Sequence, residues 1–369
     1  MDAMSSEVEQ RKLVRSAIEE LTPYIPVESP ESLAGRLGMP LDMISKLDSN
    51  ENPYGASIAV QEALGAFDRF HQYPDAQATN LRDRLAVYAG VKPSSILIGN
   101  GSDELIDLTL LTILDRDDEA IIPEPTFGVY RARTELFGGR AMVIPRTAAF
   151  DLDLDAILAA VNERTKAIFV TSPNNPTGNL TPSSEIVRLL DTGVLVILDE
   201  AYYEFCGKSA MPHTQEFDNL VVLRTFSKWA GLAGMRIGYG VFPDRIAEQI
   251  WKVKAPFNVS AAALVAAEAS LDDIEYLHLS INRIRNETRR MFRMLRTIDY
   301  LEPFPTVANF VLCRVTNGDA RDVHQRLADR GIMVREYGGE LRDYLRFSTG
   351  RPEDTNRLLT ALQRIGNDD

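Results

Sequence analysis

The chain has 369 residues, with 40 Lys and Arg against 53 Asp and Glu, so its formal net charge is −13. So acidic a chain lacks the basic surface that nonspecific binding to nucleic acid or anionic membranes needs, and we expect neither partner. Hydrophobic residues at 45% and charged residues at 25% argue against disorder or a fibrous repeat and predict one large domain or two unequal ones.

Short β-rich segments alternate with helical segments from about residue 56 onward, which predicts a parallel sheet wrapped by helices. Several of these segments are apolar along their whole length, as expected for strands covered on both faces. The predicted strands are residues 96–98, 119–122, 141–144, 166–170, 194–198, 220–223 and 237–241. The predicted helices between them cover 81–88, closed by Gly90, 105–114, a helix from Pro182 with Thr181 as its cap, and 245–253.

The two ends of the chain depart from this alternation. Four prolines before residue 41 predict that residues 1–40 form a helix followed by an extended arm. From residue 271 an arginine-rich helical stretch runs to about residue 296, and an irregular α+β pattern follows, ending in a helix near 352–364. We therefore predict a large domain over residues 41–270 and a small α+β domain over residues 271–369.

Cysteines and histidines are few and widely separated. Cys206 and Cys313 have no CxxC spacing, and the four histidines form neither an HxH nor an HExxH arrangement, so we expect no disulfide framework and no metal site. The first 20 residues carry charges throughout and lack the apolar core of a signal peptide. A reducing, cytoplasmic location is the simplest expectation.

One lysine stands among hydroxyls and small residues in the segment 225–236, Thr-Phe-Ser-Lys-Trp-Ala-Gly-Leu-Ala-Gly-Met-Arg. A sheltered lysine near other cations has a lowered amine pKa and can form a Schiff base with an aldehyde, which makes Lys228 a candidate nucleophile. Hydroxyls at Thr225 and Ser227, with the planar fork of Arg236, would suit a phosphate. Taken alone, the segment also fits an ordinary turn with a solvated lysine.

A carboxylate follows the apolar strand 194–198 in the segment Asp199-Glu-Ala-Tyr202. In open α/β sheets ligands bind at the carboxyl ends of strands, so Asp199 would point into a crevice. An aspartate there could keep a pyridine nitrogen protonated, which makes the ring of pyridoxal phosphate an electron sink. Capping of the following turn is the structural alternative for Asp199.

Two further turns follow predicted strands. Ser172-Pro-Asn-Asn-Pro-Thr-Gly178 is a rigid turn that would place Asn175 at the same sheet edge as Asp199, although most such turns have no further role. Gly99-Asn-Gly-Ser-Asp-Glu104 resembles a phosphate cradle at the start of a helix. Because Glu104 occupies the third glycine position of GxGxxG, a dinucleotide site is disfavoured. An ordinary N-cap at Ser102 or Asp103 explains this turn equally well.

These four motifs have complementary chemistry, and with further motifs the chain resembles the fold-type I pyridoxal-phosphate aminotransferases of the class I/II superfamily, and within them the histidinol-phosphate aminotransferase family. The motifs are spread over nearly the whole chain, at residues 21–24, 48–54, 99–104, 125–128, 172–178, 199–202, 225–236, 308–310 and 345–350. The resemblance implies a mainly parallel central sheet sandwiched by helices, in a large cofactor-binding domain, and a smaller α+β C-terminal domain.

The resemblance also implies roles for single residues toward pyridoxal 5′-phosphate. Lys228 would form the Schiff base and move the proton, Asp199 would bind the pyridine nitrogen, and Asn175 and Tyr202 would lie near the 3′ oxygen. Phe127 would stack on the ring. The implied phosphate partners are the amides of Ser102 and Asp103, the side chains of Thr225, Ser227 and Arg236, and Tyr54 from the other subunit of a homodimer.

For the substrate, the resemblance implies that Arg346 binds the α-carboxylate, that Tyr24 and Arg335 bind a substrate phosphate, and that Asn309 belongs to the same pocket. The implied reaction moves an amino group between histidinol phosphate and imidazole-acetol phosphate, and between glutamate and 2-oxoglutarate, in histidine biosynthesis. An aromatic aminotransferase and a threonine-phosphate decarboxylase-like enzyme remain alternatives. Trp229 stands where many relatives have a small residue and Phe257 where some have a tyrosine, which leaves the side-chain pocket open.

Two other classes are weighed and disfavoured. An aminotransferase-like regulator needs an attached DNA-reading domain, and the residues before Asp48 are too few and too acidic for a helix-turn-helix. A nicotinamide dehydrogenase needs the glycine fingerprint that this chain lacks.

Overall fold

In the computed structural model, which describes residues 13–19 and 28–367, two β-sheets organise the chain. The strands are β1 (Ser45–Leu47), β2 (Ile96–Gly99), β3 (Glu119–Glu124), β4 (Arg140–Pro145), β5 (Thr165–Thr171), β6 (Leu195–Asp199), β7 (Leu220–Thr225), β8 (Gly238–Val241), β9 (Leu301–Pro303), β10 (Phe310–Val315), β11 (Ile332–Glu336) and β12 (Tyr344–Ser348). The helices are α1 (Ser16–Glu19), α2 (Pro30–Leu37), α3 (Ile58–Ala66), α4 (Thr79–Ala89), α5 (Ser102–Ile113), α6 (Val129–Leu136), α7 (Leu154–Ala160), α8 (Ser183–Leu190), α9 (Tyr203–Cys206), α10 (Asp244–Val253), α11 (Ala261–Asp272), α12 (Ile274–Leu295), α13 (Ala320–Ala328) and α14 (Pro352–Asn367).

The larger sheet has the strand order β2-β8-β7-β6-β5-β3-β4. β8 is antiparallel to both of its neighbours, and the other adjacent pairs are parallel. The predicted α/β class with a mainly parallel central sheet is therefore confirmed, and each of the seven predicted strands corresponds to one strand of this sheet.

Helices cover both faces of the larger sheet, and β6 shows why its sequence is apolar throughout. Val196 and Leu198 pack into the core on one face with residues of α4, α8 and α11. Leu195 and Ile197 pack into the core on the other face with residues of α5 and α10. Alternate residues of a strand point to opposite faces, so a strand between two helical layers needs apolar residues at every position. Burying each such side chain contributes roughly 1.5–3 kcal/mol.

The smaller sheet has the order β1-β11-β12-β10-β9, and α12, α13 and α14 contribute to its core. The α+β character predicted for the C-terminal part is confirmed. β1 was predicted to belong to the large domain, but it pairs in parallel with β11, so that Ser45 is aligned with Ile332. The three residues of β1 are too few to show a periodic pattern, and only the tertiary pairing places them. The division of the chain near residue 270 stays a prediction.

Several helix ends differ from the predicted ones. α8 begins at Ser183, and Pro182, with ψ of 141°, is its N-cap, so the prediction of a Thr181 cap was wrong. The predicted helix 271–296 is divided at Asp273 between α11 and α12. α2 lies where the extended arm was predicted, and it begins at Pro30 because the Ser29 hydroxyl accepts a hydrogen bond from a backbone N–H of its first turn. Across the described residues, no helix combines the length and apolarity needed to cross a membrane.

Candidate active site

The ends of four strands meet at one edge of the larger sheet. Asp199 ends β6 and is aligned with Thr171 at the end of β5, and Thr225 ends β7. Gly99 ends β2, and Asn175 lies in the turn that follows β5. These four strands run in the same direction, so their carboxyl ends share one edge, as in other open α/β sheets with a ligand site.

Asp199 is a buried carboxylate with two hydrogen bonds. Its Oδ2 accepts a bond from the Tyr130 hydroxyl (2.7 Å), and its Oδ1 accepts one from the backbone N–H of Ala201 (2.9 Å). The Tyr130 hydroxyl also lies 2.9 Å from Thr171 Oγ1 and so accepts from it. Burial raises the pKa of Asp199 to about 6, and the bonds from Tyr130 and Ala201 oppose the rise. The carboxyl group is therefore mostly ionised at neutral pH.

Lys228 follows β7, and its amine is sheltered. Nζ donates a hydrogen bond to the carbonyl oxygen of Ser49 (2.9 Å). Burial, and after it the positive charge of Arg346, lowers the pKa of Lys228 to about 8. The next residue, Trp229, is fully buried and stacks on Tyr88 with a ring separation of 5.6 Å and an interplanar angle of 1°. This packing anchors the loop that carries Lys228. Because of its lowered pKa, a larger fraction of the Lys228 amine is neutral at pH 7 than in an ordinary lysine.

An anion cradle lies between β2 and α5. Gly101 has φ of +81°, and a Cβ there would lie 2.6 Å from Nη2 of Arg236. A Cβ at Gly238 would lie 2.6 Å from the backbone nitrogen of Ser102. Only glycine lets the guanidinium and the neighbouring strand approach this closely. The first backbone N–H groups of α5, at Ser102 and Asp103, have no intrahelical acceptor, and they favour an anion.

Hydroxyl groups and a guanidinium complete this cradle. Thr225 Oγ1 donates to Ser227 Oγ (2.9 Å), and the Ser227 backbone N–H donates to Thr225 Oγ1 (3.1 Å). Arg236 donates from Nη1 to Ser227 Oγ (3.4 Å) and from Nη2 to the Asp103 carboxylate (3.2 Å). Cation, hydroxyls and amides thus surround one region that suits a phosphate ester.

Arg346 on β12 lies beside the same edge, and its Nε has no hydrogen-bond partner in the part of the chain that the structure describes. Its Nη1 donates to Asn175 Oδ1 (2.7 Å), and its Nη2 donates to the Asp48 carbonyl oxygen. Among the described residues, Arg346 Nε and Asn309 Oδ1 are buried polar atoms without a hydrogen-bond partner. Asn309 Nδ2 donates to the carbonyl oxygen of Asn50 (3.0 Å). Because an unpaired buried polar atom is costly, these two atoms mark a place for a polar ligand.

Two aromatic residues predicted for the site are also near its edge. Tyr202 accepts a hydrogen bond from Asn50 Nδ2 (2.9 Å) and meets the Phe310 ring edge-on at 5.1 Å. Burial raises the pKa of the Tyr202 hydroxyl to about 12, so the group stays protonated. Phe127 is half-buried and meets the Tyr130 ring edge-on at 5.7 Å.

Arg335 and Arg346 are direct partners in the antiparallel pairing of β11 and β12. Residues directly opposite each other in antiparallel strands place their side chains on the same face, so the two arginines share one face of the smaller sheet. Two cations on one face would repel each other less when anionic groups bind between or beside them. Tyr24, the other predicted ligand of a substrate phosphate, lies outside the described residues.

The assembled groups define a narrow range of chemistry. They are a lysine amine of lowered pKa, a buried carboxylate, an anion cradle and a guanidinium with a free buried donor. Such a set can capture an aldehyde, hold its phosphate ester and bind a small anionic amine.

The sequence profile of the family "Aminotransferase class I and II" matches residues 42–362. The chain belongs to this aminotransferase family. The resemblance inferred from the motifs is thereby confirmed, and the fold agrees with it.

Several of the similar proteins carry the same enzyme name. "Histidinol-phosphate aminotransferase" of Dehalococcoides mccartyi is 41% identical over 97% of this chain and 99% of its own length. The chloroplastic enzyme of that name from Nicotiana tabacum is 44% identical over 95% of this chain and 86% of its own length. The crystal structure of histidinol-phosphate aminotransferase from Sinorhizobium meliloti in complex with pyridoxal-5′-phosphate superposes with a TM-score of 0.87 at 28% identity, covering 99% of this chain and all of that one.

Tyr54 of this aminotransferase lies beside arginines of the C-terminal part. Its half-buried ring has the guanidinium carbons of Arg283 and Arg351 at 5.5 and 5.6 Å, and its carbonyl oxygen accepts a hydrogen bond from the Tyr276 hydroxyl (2.9 Å). Burial raises the pKa of the Tyr54 hydroxyl. Its contact with a coenzyme phosphate in a second copy of the chain stays a prediction.

Trp229 and Phe257, the two departures from the family pattern, have different surroundings. Trp229 packs in the core, so its size supports the loop of Lys228. Phe257 is 40% exposed and stacks on Tyr73, which is 81% exposed, with ring centroids 4.5 Å apart.

Sequence reasoning missed three groups of the site. Tyr130, whose hydroxyl binds Asp199, lies one helical turn after Phe127 in the Pro-Thr-Phe-Gly-Val-Tyr segment, and that spacing was the available signal. Asn50 was quoted within the motif 48–54 without a role, and its φ of +54° sets it apart. The Ser49 carbonyl that binds Lys228 is a backbone group, for which no residue type gives a signal.

Proposed function

We propose that this aminotransferase transfers an amino group between histidinol phosphate and 2-oxoglutarate, using pyridoxal 5′-phosphate at the carboxyl edge of the larger sheet. The observation that carries the proposal is the amine of Lys228, with a lowered pKa, in one site with Asp199 and the anion cradle. Relatives of 41% and 44% identity over nearly the whole chain bear that enzyme's name, which favours it over the aromatic aminotransferase and decarboxylase alternatives.

The residues present fit pyridoxal phosphate. The glycine at position 101 leaves room where a Cβ would meet Arg236, and the helix N-terminus beside it offers backbone donors. These groups, with Thr225 and Ser227, would hold the phosphate ester. Asp199, buried and ionised, would hold the proton of the pyridine nitrogen, and Lys228 would hold the aldehyde carbon.

When bound, pyridoxal phosphate supplies an aldehyde that accepts the amino group and a ring that withdraws electrons from the carbon being deprotonated. The chain supplies the proton transfer: Lys228 Nζ, whose pKa is about 8, can give up and take back a proton near neutral pH. Asp199 would stabilise a positive charge on the pyridine nitrogen, and the hydrogen bond from Tyr130 orients the Asp199 carboxylate. Tyr202 and Asn175 would donate hydrogen bonds to the ring oxygen.

Arg346 and Arg335, on neighbouring strands, support the two amino donors glutamate and histidinol phosphate. Both substrates carry an amine, but their anionic groups differ. Arg346 would bind the α-carboxylate of glutamate through its free Nε, and Asn309 Oδ1 would accept a hydrogen bond from a donor group of the substrate. Arg335, its partner in register, would bind the distal anion, which is a carboxylate in glutamate and a phosphate in histidinol phosphate. Tyr24 is proposed as a second ligand of that phosphate.

The proposed working unit is a cytoplasmic homodimer in which a tyrosine crosses to the partner's phosphate site. Tyr54 is the predicted residue. The surface also offers Tyr73, which is far more exposed and so better able to reach a second copy.

Mixed dimers test which tyrosine crosses the interface. A Lys228→Ala chain is combined with a Tyr54→Phe or a Tyr73→Phe chain. One intact site, with Lys228 from one chain and the tyrosine from the other, forms only when that tyrosine acts across the interface. Sedimentation measures the dimer, and cell fractionation tests the location.

The substrate is tested by spectral titration of the loaded protein. Histidinol phosphate should convert the visible absorption band of the coenzyme, and its kcat/KM should exceed those of phenylalanine and threonine phosphate by at least about tenfold. A loaded Lys228→Ala variant with full turnover would contradict the mechanism. Equal kcat/KM for histidinol phosphate and histidinol would contradict the roles of Arg335 and Tyr24.

A further inference from the structure

The turn between β2 and α5 is held by a side chain from a distant loop. Glu104 Oε2 accepts hydrogen bonds from the Asn100 backbone N–H (2.5 Å) and from Asn258 Nδ2 (2.6 Å). Asn258 Nδ2 also donates to the carbonyl oxygen of Ile98 (3.2 Å). One amide group between α10 and α11 thus binds both the end of β2 and the first turn of α5.

The opposite side of the Asn258 amide is also occupied. Its Oδ1 accepts a hydrogen bond from Lys254 Nζ (2.6 Å), and the largely buried Lys254 ammonium lies 5.0 Å from the centre of the Trp251 ring. Because the oxygen and the nitrogen of the amide both have partners, the amide has one favoured orientation. The positive charge of Lys254 also faces Glu104.

Glu104 has a position from which it could either help or oppose phosphate binding. It is the third residue of α5, where a glutamate commonly reaches back to bind the chain before the helix. A carboxylate that turned toward the free amides of Ser102 and Asp103 would occupy them and repel a phosphate. Bonds to Asn100 and Asn258 keep Glu104 Oε2 engaged in the turn instead.

We propose that Asn258 is a positioning residue of the coenzyme site, which restrains Glu104 and so keeps the turn 99–102 open to a phosphate. This inference rests on the proposed function, which assigns that turn to the coenzyme phosphate. Asn258 acts through Glu104 and the backbone.

The test compares two ligands of the coenzyme-free chain by absorbance titration: pyridoxal phosphate, and pyridoxal, which has no phosphate. Asn258→Ala should weaken pyridoxal phosphate binding about tenfold, the effect of one lost charge-assisted contact, and leave pyridoxal binding unchanged. Asn80→Ala is the matched control, because Asn80 Nδ2 donates to Glu268 (2.5 Å) in another long-range amide–carboxylate pair. Equal losses for both ligands in Asn258→Ala would show a general structural role and overturn the proposal.

A double variant tests whether Asn258 acts through Glu104. In a Glu104→Ala background, Asn258→Ala should cause no further change in the ratio of the two dissociation constants, because the group it restrains is gone. Independent, multiplying effects would overturn the proposal. If Asn258→Ala does not fold, Asn258→Asp keeps the size and the Lys254 bond but loses the donor to Glu104, and the same selective loss is expected.

The outcomes separate this inference from the proposed function. If the wild-type chain binds pyridoxal phosphate no better than Lys228→Ala does, the proposed function fails. If the wild-type chain binds it and Asn258→Ala binds it equally well, only the role of Asn258 fails.

Discussion

The Tyr130 hydroxyl donates a 2.7 Å hydrogen bond to Asp199 Oδ2, and both side chains are buried. This bond favours the ionised carboxylate against the cost of its burial. The charge and the orientation of Asp199, at the end of β6, thus depend on Tyr130 of α6.

Tyr130→Phe should raise the pKa of Asp199 above about 6, because a donor to the charged form is lost. The ionised fraction at pH 7 then falls, and the acid limb of the kcat profile moves up by about one pH unit, with about a twofold loss at pH 7 for a bond worth about 1.5 kcal/mol. Tyr300→Phe, which removes a hydroxyl bond to Leu362 in the C-terminal part, is the control. An unshifted acid limb in Tyr130→Phe would refute the role.

Asp199→Asn should stabilise the coenzyme-free protein while it disables catalysis. The pKa of Asp199 rises from 3.8 to about 6 on folding, so the ionised group opposes folding by about 3 kcal/mol at pH 7. The folded chain binds the proton of Asp199 more tightly than the unfolded chain does. The cost of the ionised carboxylate therefore vanishes as pH falls from 6 toward 4, and the stability gained by Asp199→Asn should shrink with it. Urea unfolding at pH 7 and pH 4.5 measures both values. A variant less stable at pH 7 would contradict the expectation.

The lowered pKa of Lys228 predicts how quickly the coenzyme-free chain captures pyridoxal phosphate. Only the neutral amine attacks the aldehyde, so the rate should rise with pH and level off above about 8, whereas an ordinary lysine would level off above about 10.5. Stopped-flow absorbance measures the rate. Lys228→Ala should show no such phase, and the exposed Lys252→Ala should behave as wild type.

Loss of either arginine should affect the substrates according to the anions that they carry. Arg346→Ala should lower kcat/KM for glutamate about 100-fold and affect histidinol phosphate far less, because that substrate has no carboxylate. Arg335→Ala should lower kcat/KM by a similar factor for both histidinol phosphate and glutamate, whose distal anions it would bind, and leave histidinol unchanged. Single-turnover spectra of each half-reaction provide the measurement, and the exposed Arg342→Ala is the control. Equal losses for all substrates in either variant would argue against separate anion sites.

Gly231 allows the lysine loop to contact the segment before α3. Its φ is +69°, and a Cβ would lie 2.4 Å from the carbonyl carbon of Gly55. Gly231→Ala should therefore cost roughly 2–4 kcal/mol of unfolding free energy and weaken coenzyme binding, since Lys228 is three residues away. Gly234→Ala, with open space at its Cβ and no positive φ, should change stability little. Thermal unfolding of the two variants gives the comparison.

The chain alone was enough to predict the seven strands of the larger sheet and the positions of Asp199 and Lys228 at the carboxyl ends of two of them. The reason is local: a strand buried on both faces needs an unbroken apolar run, and a polar residue at the end of that run marks the sheet edge. Prediction of the family rested on the same local motifs, which span nearly all of the chain.

The tertiary structure alone decided which distant groups meet. β1 pairs with β11 across most of the chain, Asn258 binds Glu104, and the Ser49 carbonyl binds Lys228. None of these contacts leaves a periodic or compositional trace, because each depends on where separate elements pack. The pKa values of Asp199 and Lys228 likewise arise from burial, which only the packed molecule creates.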